Sequence, residues 1–192
     1  MFAIDQISVL DGFFPESLNK RVEEYFTTVE WKYGTKSVKT MMRDSLPHWS
    51  KYFCSAEDSG KGIPLNTVQF SEELIQTMFE TLKPHLPPDA HLLRCYANGQ
   101  TYGTDSKLHA DDMRPNTFTV LYYPMETWRS DWAGETVFWN RETQELDTSI
   151  HPKSNRLVIF PSQYWHGARP VSRYCEELRI TLMWKFILPS SS

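Results

Sequence analysis

Three cysteines in 192 residues, Cys54, Cys95 and Cys175, are too few and too scattered for a disulfide framework or a thiolate zinc site. No Cys-x-x-Cys pair occurs, so they read as thiols of a reducing compartment. A basic patch is missing too. Lys and Arg number 20 against 24 Asp and Glu, interspersed, for a formal net charge of -4, which offers a nucleic acid nothing to hold. No apolar run approaches the ~20 residues that span a bilayer. The start, Met1 to Asp5, lacks a basic stretch followed by an apolar one. The expectation is a cytoplasmic chain with neither nucleic-acid nor membrane partner. There is no internal repeat, and only Ser190-Ser191-Ser192 looks like a tail. What is abundant is aromatic side chain, 14% of the residues with seven Trp, enough for one substantial core, and a single domain over 1–192 is expected.

Along the chain, Ile4 to Leu10 alternates as a first strand that Asp11-Gly12 ends. Behind Pro15, Leu18, Val22, Tyr25, Phe26 and Val29 recur at helical spacing and predict an amphipathic helix. Trp31 to Lys39 has the character of an edge strand. Residues 43–64 carry Pro, Gly, Ser and Asp together with Trp49, Tyr52 and Phe53, an aromatic load that a polar loop does not need. That stretch either folds over a pocket mouth as a lid or covers a satellite apolar cluster. Ser71-Glu72-Glu73 opens a second helix with Leu74, Ile75, Met78, Phe79 and Leu82 on one face, stopped by Pro84.

After Pro87-Pro88 the pattern turns to short strands. They are His91–Tyr96, then Leu108–Asp111 beyond a loop marked by Asn98-Gly99 and Tyr102-Gly103, Thr117–Tyr123, Glu135–Trp139, Leu146–Ile150, Arg156–Phe160 and Glu177–Phe186. This predicts a mainly β protein with flanking helices. Residues 91–186 form its core, a double-stranded β-helix of jelly-roll or cupin type, and 1–90 supply the supporting strand, helices and lid region.

Chemistry enters with Leu108-His109-Ala110-Asp111. Side chains at i and i+2 of a strand point to the same face, so His109 and Asp111 can bind one ion together. A third ligand must come from another strand, and Tyr164-Trp165-His166-Gly167, at the end of the apolar run Leu157 to Phe160, supplies a histidine. Two histidines and a carboxylate occupy one face of an octahedral ion and leave the opposite positions open, the arrangement of non-haem Fe(II) oxygenases. Asp112 points to the other face and is not read as a ligand. His48, His85, His91 and His151 match no ligand spacing and read as surface or capping residues. In the last strand, Arg179, Thr181 and Met183 share one face, with Ile180, Leu182 and Trp184 on the other. A buried guanidinium there needs a partner, and beside a hydroxyl it suits a carboxylate held in bidentate fashion.

His109-Ala110-Asp111, Leu121-Tyr122-Tyr123-Pro124, Trp132-Ala133-Gly134-Glu135-Thr136, His166-Gly167 and Arg179-Ile180-Thr181 follow one another in order. With these the chain resembles the Fe(II)- and 2-oxoglutarate-dependent dioxygenases, in particular their small prolyl-hydroxylase-like branch, over roughly residues 91 to 186. The resemblance implies that His109, Asp111 and His166 ligate Fe(II). It implies that Arg179 with Thr181 clamps the distal carboxylate of 2-oxoglutarate, that Tyr123 hydrogen-bonds it, and that Tyr96 lines the same pocket. The reaction implied is hydroxylation of an unactivated C–H bond with O2, coupled to decarboxylation of 2-oxoglutarate to succinate.

Two features depart from the branch. Trp184 falls on the face opposite Arg179, and the gap from His166 to Arg179 is 13 positions (179 minus 166), which speaks against a prolyl substrate. A peptide or protein prolyl substrate fits the branch, but a small molecule, an amino acid or natural-product intermediate, fits the compact size and the lack of an appended recognition domain and is favoured. Arg114, Trp128, Trp132, Tyr102, Trp49 and Arg169 are substrate-contact candidates, because they lie in loops beside motif residues. A cupin-type metalloenzyme without 2-oxoglutarate stays open, with Arg179 and Tyr123 arguing against it, and so does a non-enzymatic binding module, which indifference of the protein to Fe(II) would support. The sequence gives no reading of the oligomeric state.

Overall fold

The computed structural model describes residues 1–36, 46–56 and 60–189. Strand β1 (Ser8–Asp11) and helix α1 (Glu16–Thr28) come first, then β2 (Lys32–Thr35), β3 (His48–Ser55), β4 (Ile63–Pro64) and helix α2 (Glu73–Leu82). After them come β5 (His91–Gln100), β6 (Thr117–Tyr123), β7 (Thr136–Trp139), β8 (Leu146–Ile150), β9 (Arg156–Pro161), β10 (Trp165–Ala168) and β11 (Arg179–Ile187). The strands form two antiparallel sheets. The larger runs β1-β9-β6-β11-β5-β3-β2, with β4 also on β5, and the smaller runs β10-β7-β8.

Strand β11, Arg-Ile-Thr-Leu-Met-Trp-Lys-Phe-Ile, is buried at every residue because it is paired on both edges and covered on both faces. One face carries Ile180, Leu182, Trp184 and Phe186. These join Cys95 and Ala97 of β5 and Val120 and Tyr122 of β6 in one core with Val22 and Phe26 of α1 and Ile75, Met78 and Phe79 of α2. Helix α1 lies on this face, since the Tyr122 hydroxyl donates to Asn19 and the Tyr122 ring meets Phe14 edge-on at 4.9 Å. The other face presents Arg179, Thr181, Met183 and Lys185, flanked in register by Arg94, Tyr96, Asn98 and Gln100 of β5. It looks toward the smaller sheet, where Phe138 of β7 packs on Phe160 at 5.0 Å. The functional cleft lies between the two sheets on this polar face.

Several elements differ from the sequence reading. The first strand begins only at Ser8, and β5 runs through Asn98-Gly99 to Gln100, because β3 and β11 both pair with it there and this pairing overrides the turn propensity. Residues 108–111 form no strand. A single antiparallel bridge joins His109 to His166 through two backbone hydrogen bonds of 2.9 Å. His166 in turn lies on β10, which the Pro161–Tyr164 turn carries into the smaller sheet, and not at the end of the β9 run. Within 43–64, residues 48–55 are strand β3 of the main sheet, not a loop; residues 43–45 and 57–59 lie outside the described residues, as do 37–39 of the expected edge strand and the serine tail. Among the described residues no helix is long and apolar enough to cross a membrane.

Candidate metal centre and anion pocket

The ligand atoms of His109, Asp111 and His166 all lie within 4.8 Å of one another. His109 Nε2 stands 3.8 Å from one Asp111 carboxylate oxygen, and His166 Nε2 stands 3.7 Å from the other. Each imidazole is oriented from behind. Nδ1 of His109 donates to the Lys107 carbonyl at 2.8 Å, and Nδ1 of His166 donates to the Tyr164 carbonyl at 2.9 Å, which leaves each Nε2 lone pair facing the centre. Burial, eased in part by the Asp111 charge, pushes the His166 imidazole down to about 4, so it is neutral and ready to ligate at pH 7. Burial opposes the charge of Asp111, but the two histidines, Arg94 and the Thr119 hydrogen bond more than offset it and hold the carboxyl below its ordinary value.

Asp111 Oδ2 accepts from Thr119 Oγ1 at 2.7 Å, whereas Oδ1 is buried and accepts no hydrogen bond. A buried carboxylate between two imidazole lone pairs, one of its oxygens without a hydrogen bond, is chemically incomplete, and a divalent cation completes it. The donor set, two nitrogens and one carboxylate on one side of the point they share, fits Fe(II). Asp112, next in sequence, turns away to Arg114 and to Lys185, as its position in the chain predicts.

Gly167 lets the chain segment that carries His109 come close. A Cβ there would stand 2.9 Å from the Ser106 carbonyl oxygen, a backbone atom. Gly167→Ala is therefore expected to cost about 1–3 kcal/mol in stability and to weaken metal binding by displacing His109. Melting temperature and Co(II) titration check it, and a variant that melts and binds as the parent would contradict the close approach.

From the metal-ligand cluster a cleft of ≈ 650 Å³ of empty volume, mouth included, runs to Arg179. Its lining includes Tyr96, Gln100, Leu121, Thr136, Thr181 and Met183. Arg179 is only 2% exposed. Its guanidinium donates to Gly134 O, to Gln100 Oε1 at 2.7 Å and to Thr136 Oγ1 at 2.9 Å, all neutral acceptors. Among the described residues no carboxylate lies within ion-pair distance of it, and burial accordingly pulls its pKa down. A cation buried against neutral dipoles at the end of a cleft calls for an anion. Gly134, with φ +77°, is required beside it, since a Cβ would press to 3.0 Å from Arg179 Cδ.

The sequence-predicted residues divide. Tyr96, Thr181 and Arg179 line the cleft with His109 and His166. Tyr123 does not line it: the ring lies under the Arg179 guanidinium at 5.5 Å and the hydroxyl bonds Thr136 Oγ1 at 2.6 Å, so it supports the pocket wall from beneath. None of the six substrate candidates lines the cleft. Trp49 is on β3 but one residue out of phase, with its ring on Tyr33. Arg114 is bound to Asp112 and the Gly60 carbonyl. Trp128 donates to Ala133 O and packs edge-on against Trp132, which lines a separate groove beside α1. Tyr102 and Arg169 are exposed.

In their place the outer cleft is lined by Arg94, Tyr52, Asn98 and His48. His48, expected at the surface, is 4% exposed, and burial lowers its pKa. The alternation of β3 and β5, carried two residues further from Tyr96, is the signal that finds Arg94 and Asn98.

Residues 91–184 match the 2OG-Fe(II) oxygenase superfamily, a span containing the three clustered residues and Arg179. Among solved structures, a 2OG-Fe(II) oxygenase family oxidoreductase of Burkholderia pseudomallei is similar at TM-score 0.69 and 12% identity, covering 97% of this chain and 87% of that one. HygX of Streptomyces hygroscopicus, with nickel and 2-oxoglutarate bound, is similar at TM-score 0.64 and 9% identity, covering 98% and 85%. A Trichoplax adhaerens prolyl hydroxylase, in complex with a hypoxia-inducible-factor peptide fragment, is similar at TM-score 0.61 and 15% identity, covering 96% and 84%. At these identities the likeness is one of fold, the double-stranded β-helix. No curated protein sequence matches the chain.

Proposed function

The chain belongs to the 2OG-Fe(II) oxygenase superfamily, and from the site it carries we infer that it hydroxylates an unactivated C–H bond of a small molecule, an amino acid or natural-product intermediate. One observation carries this reading: the buried Arg179, facing only neutral acceptors, shares a cleft with the His109, Asp111 and His166 cluster.

His109, Asp111 and His166 would hold the iron, which when bound activates O2 and couples decarboxylation of 2-oxoglutarate to oxidation of the substrate. The protein supplies the rest. Arg179, with the Thr136 and Thr181 hydroxyls, takes the distal carboxylate of 2-oxoglutarate. Leu121 and Met183 add apolar side chains to the lining of the cleft. Arg94, Tyr52, Tyr96, Asn98 and His48 are left to meet the substrate, the Tyr52 and Tyr96 rings stacked at 5.5 Å. A peptidyl prolyl substrate is the second reading, supported by the peptide bound to the Trichoplax neighbour.

Succinate release with Fe(II), 2-oxoglutarate and O2 tests the reading against two panels, free amino acids and related small molecules in one, proline-containing peptides in the other. Stimulation by members of the first panel is the expected result. Stimulation by prolyl peptides alone would transfer the protein to the second reading. A protein that binds Fe(II) yet gives no visible charge-transfer band with 2-oxoglutarate in the absence of oxygen would remove the cosubstrate from both.

A further inference from the structure

Asp111 offers three oxygen atoms, and each meets a different strand of the main sheet. Lys185 of β11 is in register with Arg94 of β5 on one side and Thr119 of β6 on the other, so the three side chains form one transverse row on the cleft face. Thr119 Oγ1 donates to Asp111 Oδ2 at 2.7 Å, and Arg94 Nη2 stands 3.6 Å from Oδ1. Lys185 Nζ donates to the Asp111 backbone carbonyl at 2.9 Å and also reaches the Asp112 carboxylate at 3.0 Å. Asp112 is gripped by the Nε–Nη2 edge of the Arg114 guanidinium, at 3.0 and 2.7 Å. Thr119 is itself fixed by Ser162 Oγ at 2.9 Å.

Lys185 is 4% exposed, and an ammonium is costly to bury. Among its partners are the main chain of the expected metal ligand and the carboxylate of the residue beside it. Residues 108–111 lie in no strand; the turn is tied to the main chain by the His109 bridge and by the Ser106 and Asp112 amides, which donate to the Ala168 and Ser162 carbonyls at 3.3 and 3.2 Å. None of these bonds reaches the Asp111 carboxylate, whose orientation must come from side chains.

We propose that the transverse row Arg94, Lys185 and Thr119 is the cradle that positions Asp111 for metal binding, with Lys185 as its central positioning residue. This rests on the metal reading of the cluster given above. Thr119 sets the rotation of the carboxylate, Lys185 the height of the turn, and Arg94 the approach to the free oxygen.

The test uses Co(II) as probe on the purified chain, read by competition titration and by the ligand-field absorption spectrum, with melting of the metal-free protein as the folding control. Lys185→Met, of similar length and neutral, is expected to lower Co(II) affinity about 10–100-fold and to alter the spectrum. Lys185→Arg is expected to restore most of both. Thr119→Val, nearly isosteric, should weaken Co(II) in the same direction without touching the ammonium, and it keeps the test open if Lys185→Met does not fold. Folded variants whose Co(II) affinity and spectrum stay within twofold of the parent would overturn the cradle while leaving the metal centre standing. A parent protein that does not bind Co(II) at all would overturn both.

Discussion

Replacing Arg179 with Met is expected to raise the 2-oxoglutarate concentration needed for half-saturation by at least 30-fold while leaving Co(II) affinity at the triad within a few-fold of the parent. The guanidinium is 2% exposed and has no carboxylate within ion-pair distance among the described residues, so it can pair with a ligand anion. Truncating one side of a buried, hydrogen-bonded charge pair costs roughly 2–5 kcal/mol, and each 1.4 kcal/mol is tenfold in affinity. Arg179→Lys keeps the charge but loses the fork that spans Gln100 and Thr136, so it should fall between parent and Met. The thermal upshift that 2-oxoglutarate gives the parent should vanish in Arg179→Met. Half-saturation unchanged in a folded Met variant would mean that the cosubstrate anion is held elsewhere.

The second large effect belongs to His166→Ala. Loss of a ligand, as opposed to a supporting residue, should lower Fe(II) affinity by on the order of 100-fold or more, since supporting residues alone account for 10–100-fold. Substrate-dependent succinate should disappear with it. The same substitution has a second consequence that needs no metal. Burial holds the His166 imidazole at about 4 in the folded chain, against 6.5 when exposed, so the unfolded state takes up the proton first. The metal-free parent therefore keeps this contribution above pH 6.5 and loses it progressively as pH falls toward 4. Metal-free His166→Ala should show a flatter decline of stability over that window. A decline as steep as the parent's would place the acid sensitivity in another group.

The triad and Arg179 were legible from spacing because both rest on the two-residue alternation of extended backbone, which holds even where, as at His109, the extended piece is a single bridge. The same rule, continued two residues past Met183, reaches Lys185. What spacing could not give was the wall of the cleft. Pro47, Ser50 and Lys51 dress β3 as a loop, and only its pairing with β5 turns His48 inward and Trp49 outward. Trp128, Trp132, Arg114, Tyr102 and Arg169 are near motif residues along the chain, but loop conformation, not sequence distance, decides which way a side chain is sent. What spacing also could not give is that the Tyr123 hydroxyl bonds Thr136, because that residue comes from the other sheet.

Strand β11 is the last of the eleven strands along the chain and yet pairs on both edges, with β5 and β6, near the middle of the larger sheet. Until it inserts, β5 and β6 face each other across an open slot with unsatisfied edges. That slot lacks both the arginine at one end and the lysine at the other. Arg179 and Lys185, proposed above to hold the cosubstrate carboxylate and to steady Asp111, therefore reach the cleft together, on the one strand that closes the sheet.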